Sequence, residues 1–94
     1  MKFNFTNKKH KIDLHGFRLE EAKDIINDFI DFWIKNKDEQ KKKLTIITGK
    51  GIHSKNGPVI RPYFINRMKE RKIKCYRERL LHGEYNDGCF YVYI

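Results

Sequence analysis

Asp13 and His15 stand two residues apart in Asp13-Leu14-His15-Gly16. In extended chain, positions i and i+2 project from one face, so the carboxylate can orient the imidazole. An imidazole titrates near neutral pH, which suits general acid or base work. The same pair also reads as a strand-end Asp and His that serve local backbone groups. A second candidate is Thr48-Gly49-Lys50-Gly51. Its glycines offer backbone N–H groups without side-chain bulk, and Lys50 adds a cation, a combination suited to a phosphate oxygen or a developing oxyanion. An ordinary turn with positive φ at Gly49 or Gly51 would use the same residues. The spacing is not that of a Walker loop. His53, Ser54, Lys55 and Arg61 follow, and each can meet a backbone phosphate or simply face solvent. Arg61 precedes Pro62 near a helix opening, where anions are favoured.

Metal chemistry is not indicated. Two-metal nucleases bring several carboxylates onto their cations, whereas Asp13 is the one acid in the two motifs. Glu84 and Asp87 could join it only if their loop folds back. No cofactor is expected, and a divalent metal is not indicated. Cleavage without metal is easier on RNA, whose 2′-OH is an internal nucleophile, so RNA is favoured slightly over DNA.

Lys and Arg number 21 against 12 Asp and Glu, a net charge of +9 on 94 residues. Such an excess on a small surface points to a polyanionic partner, most commonly nucleic acid, although a basic surface kept for solubility is the plainer alternative. Cys75 and Cys89 are too few and too far apart for a zinc site or a disulfide framework. They are expected to be reduced thiols. No stretch is long and apolar enough to span a membrane, and no export signal is evident, so a cytoplasmic monomer is expected.

The elements that must position these residues follow from periodicity. Residues 11–15 alternate apolar and polar as a first strand. From Leu19, the residues Ala22, Ile25, Ile26, Phe29, Ile30 and Trp33 recur at helical spacing, with Glu20 and Glu21 in the first turn and Lys35 near the end. Residues 44–48 form a β-branched run expected to be a strand buried on both faces. A second helix opens near Pro58 or Pro62 and carries Phe64, Ile65 and Met68 inward, with Arg61, Arg67, Lys69 and Arg71 outward. Residues 73–79 and 89–94 read as two further strands joined by a polar loop over 80–88. Arg77 and Arg79 can extend the basic surface. The expected fold class is α/β: a two-layer sandwich, β-α-β-α-β-β, with a mixed four-stranded sheet and two helices. Residues 1–10 read as an N-terminal arm, with Phe3 and Phe5 alternating with polar neighbours, and 11–94 as one domain. Ligands of open α/β sheets collect beyond the carboxyl ends of parallel strands, where both candidate loops fall.

Asp13-Leu14-His15-Gly16, Thr48-Gly49-Lys50-Gly51 and Gly57-Pro58-Val59 with Pro62, each between the right elements, resemble the Smr (small MutS-related) domain family from about residue 12 to residue 94. The resemblance implies a two-layer βαβαββ sandwich and nucleic-acid binding, often with nicking of DNA or cleavage of RNA, and for some members a link to the ribosome. The family's motif residues fall on Asp13, His15, Gly16, Thr48, Gly49, Lys50 and Gly51. Members usually carry a compact Gly-Gly-x-Gly before the last strand. This chain reads His82-Gly83-Glu84-Tyr85-Asn86-Asp87-Gly88 instead, a longer third wall for the cleft.

Three functions compete on this reading. The first is a phosphodiester endonuclease in which His15 is the acid or base, Asp13 orients it and Lys50 holds the scissile phosphate. Gly16, Thr48, Gly49, Gly51, His53, Ser54, Lys55 and Arg61 would then bind the nucleic acid. The second is a non-catalytic RNA- or ribosome-binding module that uses the same cleft. The third is a protein-interaction domain whose charge is incidental.

Overall fold

The structure is a computed structural model that describes residues 10–49, 59–83 and 85–94. The expected N-terminal arm up to residue 9, and the site candidates Lys50, Gly51, His53, Ser54 and Lys55, lie outside the described residues. The elements run β1 (Lys11–Asp13), α1 (Leu19–Lys35), β2 (Lys43–Ile47), α2 (Ile60–Glu70), β3 (Cys75–Arg79) and β4 (Tyr85–Tyr93). This is the anticipated βαβαββ order. The sheet order is β1-β2-β4-β3, with β1 parallel to β2 and β4 antiparallel to both its neighbours. The final hairpin thus turns back into the sheet, and β4 separates β2 from β3.

Both helices cover one face. α1 buries Ala22, Ile25, Ile26, Phe29, Ile30 and Trp33, the stripe its spacing announces. α2 buries Ile60, Phe64 and Met68. They meet Ile12, Leu14, Leu44, Ile46, Phe90 and Val92 from alternate strand positions. Phe64 and Phe90 join the layers, with ring centroids 5.5 Å apart. Phe29, Phe64 and Phe90 are fully buried, which places the largest apolar side chains at the helix–sheet seam, where each contributes most.

Three expectations change. β2 is not buried on both faces: Leu44 and Ile46 are buried, but Thr45 and Ile47 are half-covered because, among the described residues, no helix lies over their side. Strand β4 begins four residues earlier than its apolar run suggests, since the ladder pairs Arg79 with Tyr85 and Glu78 with Asn86 before an irregularity beside Arg77. That irregularity absorbs the long polar loop into the hairpin. Arg67 and Arg71, read as outward, instead tie α2 to α1. Arg67 Nε donates to Asn27 Oδ1 at 2.8 Å, and Arg71 Nη2 lies 2.7 Å from Asp31 Oδ1. The Asn27 amide donates to the Tyr63 hydroxyl at 2.9 Å and to the Lys23 carbonyl at 2.8 Å. No helix among the described residues is long and apolar enough to cross a membrane.

Candidate functional site

The Leu14 N–H donates to the Ile47 carbonyl at 2.7 Å, carrying the β1–β2 ladder one residue past β1. The chain then leaves the sheet through a turn closed by the Phe17 N–H on the Leu14 carbonyl at 3.1 Å. Gly16 takes the third position of that turn at φ +87°, a conformation that side chains rarely adopt. His15 occupies the second position, its side chain 79% exposed. The Asp13 carboxylate accepts the His15 backbone N–H at 3.0 Å and lies 3.8 Å from the imidazole Nδ1. The first contact is a hydrogen bond, while the second exceeds hydrogen-bond range. The carboxylate therefore serves the local backbone and stands within reach of the ring at once.

The loop after β2 comes to the same corner. Gly49 has φ +77°, and a Cβ built on it would stand 3.5 Å from His15 Cβ and 3.7 Å from His15 Cα. The two loops touch, as neighbouring parallel strands require. The Thr48 and Gly49 N–H groups, which the sequence offered to a phosphate, both donate to the Gly88 carbonyl at 2.9 and 3.2 Å. The β3–β4 irregularity brings Gly88 there, so these amides hold β4 to the corner. Thr48 is buried, and its hydroxyl donates to the Gly49 carbonyl at 3.2 Å. Thr48 thus shapes the loop from below. Arg61 sits in the first turn of α2 and is not among the described residues that line the cleft.

A cleft of about 610 Å³ opens from this corner across the sheet face that no described helix covers. Asp13, His15, Gly49 and Gly88 line one end, and Lys11, Lys43, Thr45, Glu78 and Tyr91 continue it. The strand register explains the grouping: Asp13, Ile47 and Cys89 share one row across the sheet, and Lys11, Thr45, Tyr91 and Tyr76 the next. The Tyr91 hydroxyl donates to Glu78 Oε2 at 2.7 Å. That bond to a carboxylate, aided by partial burial, pushes the Tyr91 phenol up to about 12. The Lys43 ammonium lies 3.9 Å from the Tyr91 ring centroid, within cation–π range. Cys89 also borders the cleft, but burial first, and the Glu78 charge second, push its thiol up. It stays protonated at neutral pH and is a poor nucleophile there.

Lys11, Lys43, Glu78 and Tyr91 were not among the site residues the sequence suggested. The alternation of Cys89, Tyr91 and Tyr93 against Phe90 and Val92 does announce one apolar and one chemical face on β4. Only the register shows that the chemical face adjoins His15.

Comparison with known proteins bears on the same stretch. The family model described as Smr domain matches residues 12–94. A Smr domain-containing protein of Schizosaccharomyces pombe is 33% identical over 85 residues, covering 89% of this chain and 37% of that protein. Endonuclease NBR9 of Saccharomyces cerevisiae is 41% identical over 54 residues, which is 57% of this chain and 21% of that protein. The chain thus spans well under half the length of these curated relatives. A solution structure of the SMR domain of NEDD4-binding protein 2 superposes with a TM-score of 0.55 at 24% identity, covering 89% of this chain and 83% of that one. It is similar in fold.

Proposed function

The chain belongs to the Smr domain family, and from that premise we propose that it binds nucleic acid and cleaves phosphodiester bonds at the His15 corner. The observation that carries the reading is the meeting of the two loops, Gly49 against His15 with Asp13 beside it, at the mouth of a cleft in a +9 protein. His15 moves the proton of the reacting oxygen, and its 79% exposed ring leaves it open to a substrate. Asp13 fixes the backbone that presents the ring. Lys50, in the adjoining loop, neutralises the scissile phosphate. RNA suits this chemistry better than DNA because its 2′-OH supplies a nucleophile inside the substrate. The naming of a similar yeast protein as an endonuclease supports cleavage as the activity.

A second reading, an RNA- or ribosome-binding module without catalysis, is favoured by one observation. The Thr48 and Gly49 amides are taken by Gly88, which leaves fewer donors for a developing oxyanion. A cleavage assay on matched RNA and DNA hairpins, with EDTA present and absent, separates the two. Cleavage of the RNA hairpin that survives EDTA is the expected result. Salt-dependent binding without cleavage selects the second reading, and affinity indifferent to salt removes both.

A further inference from the structure

The uncovered sheet face carries more than the corner at its end. Tyr76 on β3 and Tyr93 on β4 are 43% and 46% exposed, and they touch edge to face with ring centroids 5.8 Å apart. Tyr76 pairs with Tyr91 in the ladder, so Tyr93 is its diagonal neighbour, and Tyr93 in turn lies opposite Lys43. Ammonium groups flank this group of rings: Lys43 over Tyr91 at 3.9 Å and Lys74 over Tyr76 at 5.6 Å. Rings on this face add nothing to the core, which lies on the sheet's other side. Tyrosine does favour strands, and a cross-strand tyrosine pair stabilises a sheet by itself. Sheet stability does not, however, account for cations gathered around exposed rings on the face that leads to His15.

We propose that this face holds a single-stranded nucleic-acid segment running away from the His15 corner, its bases stacked on Tyr76 and Tyr93 and its phosphates beside Lys43 and Lys74. The inference rests on the function proposed above and adds the substrate's form. Ring faces recognise the π-faces of bases, which a duplex keeps stacked on one another and a single strand exposes. Four residues separate Cys89, in the row beside the corner, from Tyr93, about 13 Å of strand. That length accommodates a short run of nucleotides between the reacting phosphate and the rings.

The test is fluorescence anisotropy with a labelled single strand of about twelve nucleotides, within the span such surfaces bind. Its sugars are 2′-O-methylated so that no internal nucleophile is present. The comparison probe is a duplex of the same length and chemistry. The full chain is expected to bind the single strand more tightly than the duplex. Replacing both rings (Tyr76→Val with Tyr93→Val) keeps strand propensity and removes stacking. Single-strand affinity should then fall about tenfold or more, while Tyr76→Phe with Tyr93→Phe retains it. Should the double valine chain unfold on thermal melting, Tyr76→Val alone carries the comparison. Unchanged single-strand affinity in the valine variant overturns the inference. So does salt-dependent binding that prefers duplex, an outcome that leaves the nucleic-acid reading standing. Absence of binding to either probe removes both.

Discussion

Gly16 and Gly49 hold the two turns of the corner in left-handed backbone, at φ +87° and +77°, and they differ in what surrounds them. Among the described residues, a Cβ on Gly16 meets nothing within 4 Å, whereas one on Gly49 meets His15 Cβ at 3.5 Å, an ordinary van der Waals contact. Gly16→Ala and Gly49→Ala should therefore cost the same, since both pay backbone strain and neither a clash. For an L residue in this region that strain is about 1–2 kcal/mol. In a domain of this size each kcal/mol lowers the melting temperature by about 4–8 °C, so each variant should melt roughly 4–16 °C lower. Calorimetry or circular dichroism melts measure the shift. Well below that melting point, Gly49→Ala should keep cleavage within about threefold, because the new methyl group fits beside His15 without moving it. Gly49→Leu adds atoms that the 3.5 Å gap cannot hold, and cleavage should then drop further than stability does. Two alanine variants as stable as the parent, or one far less stable than the other, would refute the reasoning.

Three more outcomes follow from the helices and the open face. Asn27→Ala deletes bonds to Tyr63, Lys23 and Arg67; at a net ~1 kcal/mol per bond, less the helix preference of alanine, a loss of about 2–2.5 kcal/mol in urea unfolding is expected. Lys72 closes α2 in left-handed backbone at φ 58°, so Lys72→Gly should raise stability by up to about 1 kcal/mol, read as a higher urea midpoint at constant slope. In spectrophotometric titration, Tyr91 should ionise near pH 12, above its ordinary value, and Glu78→Gln should bring it down. Its raised value means that the folded chain holds this proton where the unfolded chain has lost it, so stability falls as pH rises from about 10 to 12.

The fold was legible because its strongest signals are local. The helical stripe from Ala22 to Trp33 and the alternation of Phe90 and Val92 translate directly into the faces that meet in the core. The adjacency of the two loops follows from neighbouring parallel strands, as the sequence suggested, whereas His15 meets Asp13 not on a strand face over 11–15 but in the turn that follows β1, which ends at Asp13. What local pattern could not supply was register. Gly88 reaches the Thr48 and Gly49 amides only through the irregularity beside Arg77, and nothing in the 80–88 stretch signals its position. Arg67 and Arg71 read as solvent-facing because helical periodicity assigns polar residues outward, yet α1 lies beside them and supplies Asn27 and Asp31. The half-open β2 face was misread for a similar reason. A continuous apolar run indicates two covered faces when helices flank both, and here both helices chose one.

The proposed role of the exposed His15 imidazole between β1 and α1 is proton transfer on a phosphodiester. Single-turnover cleavage by His15→Ala, measured at protein concentrations that saturate binding, tests it most directly. The variant is expected to bind the hairpin within a few-fold of the parent and to cleave it at least about a hundredfold more slowly. Cleavage at the parental rate by a variant purified free of other nucleases would contradict it.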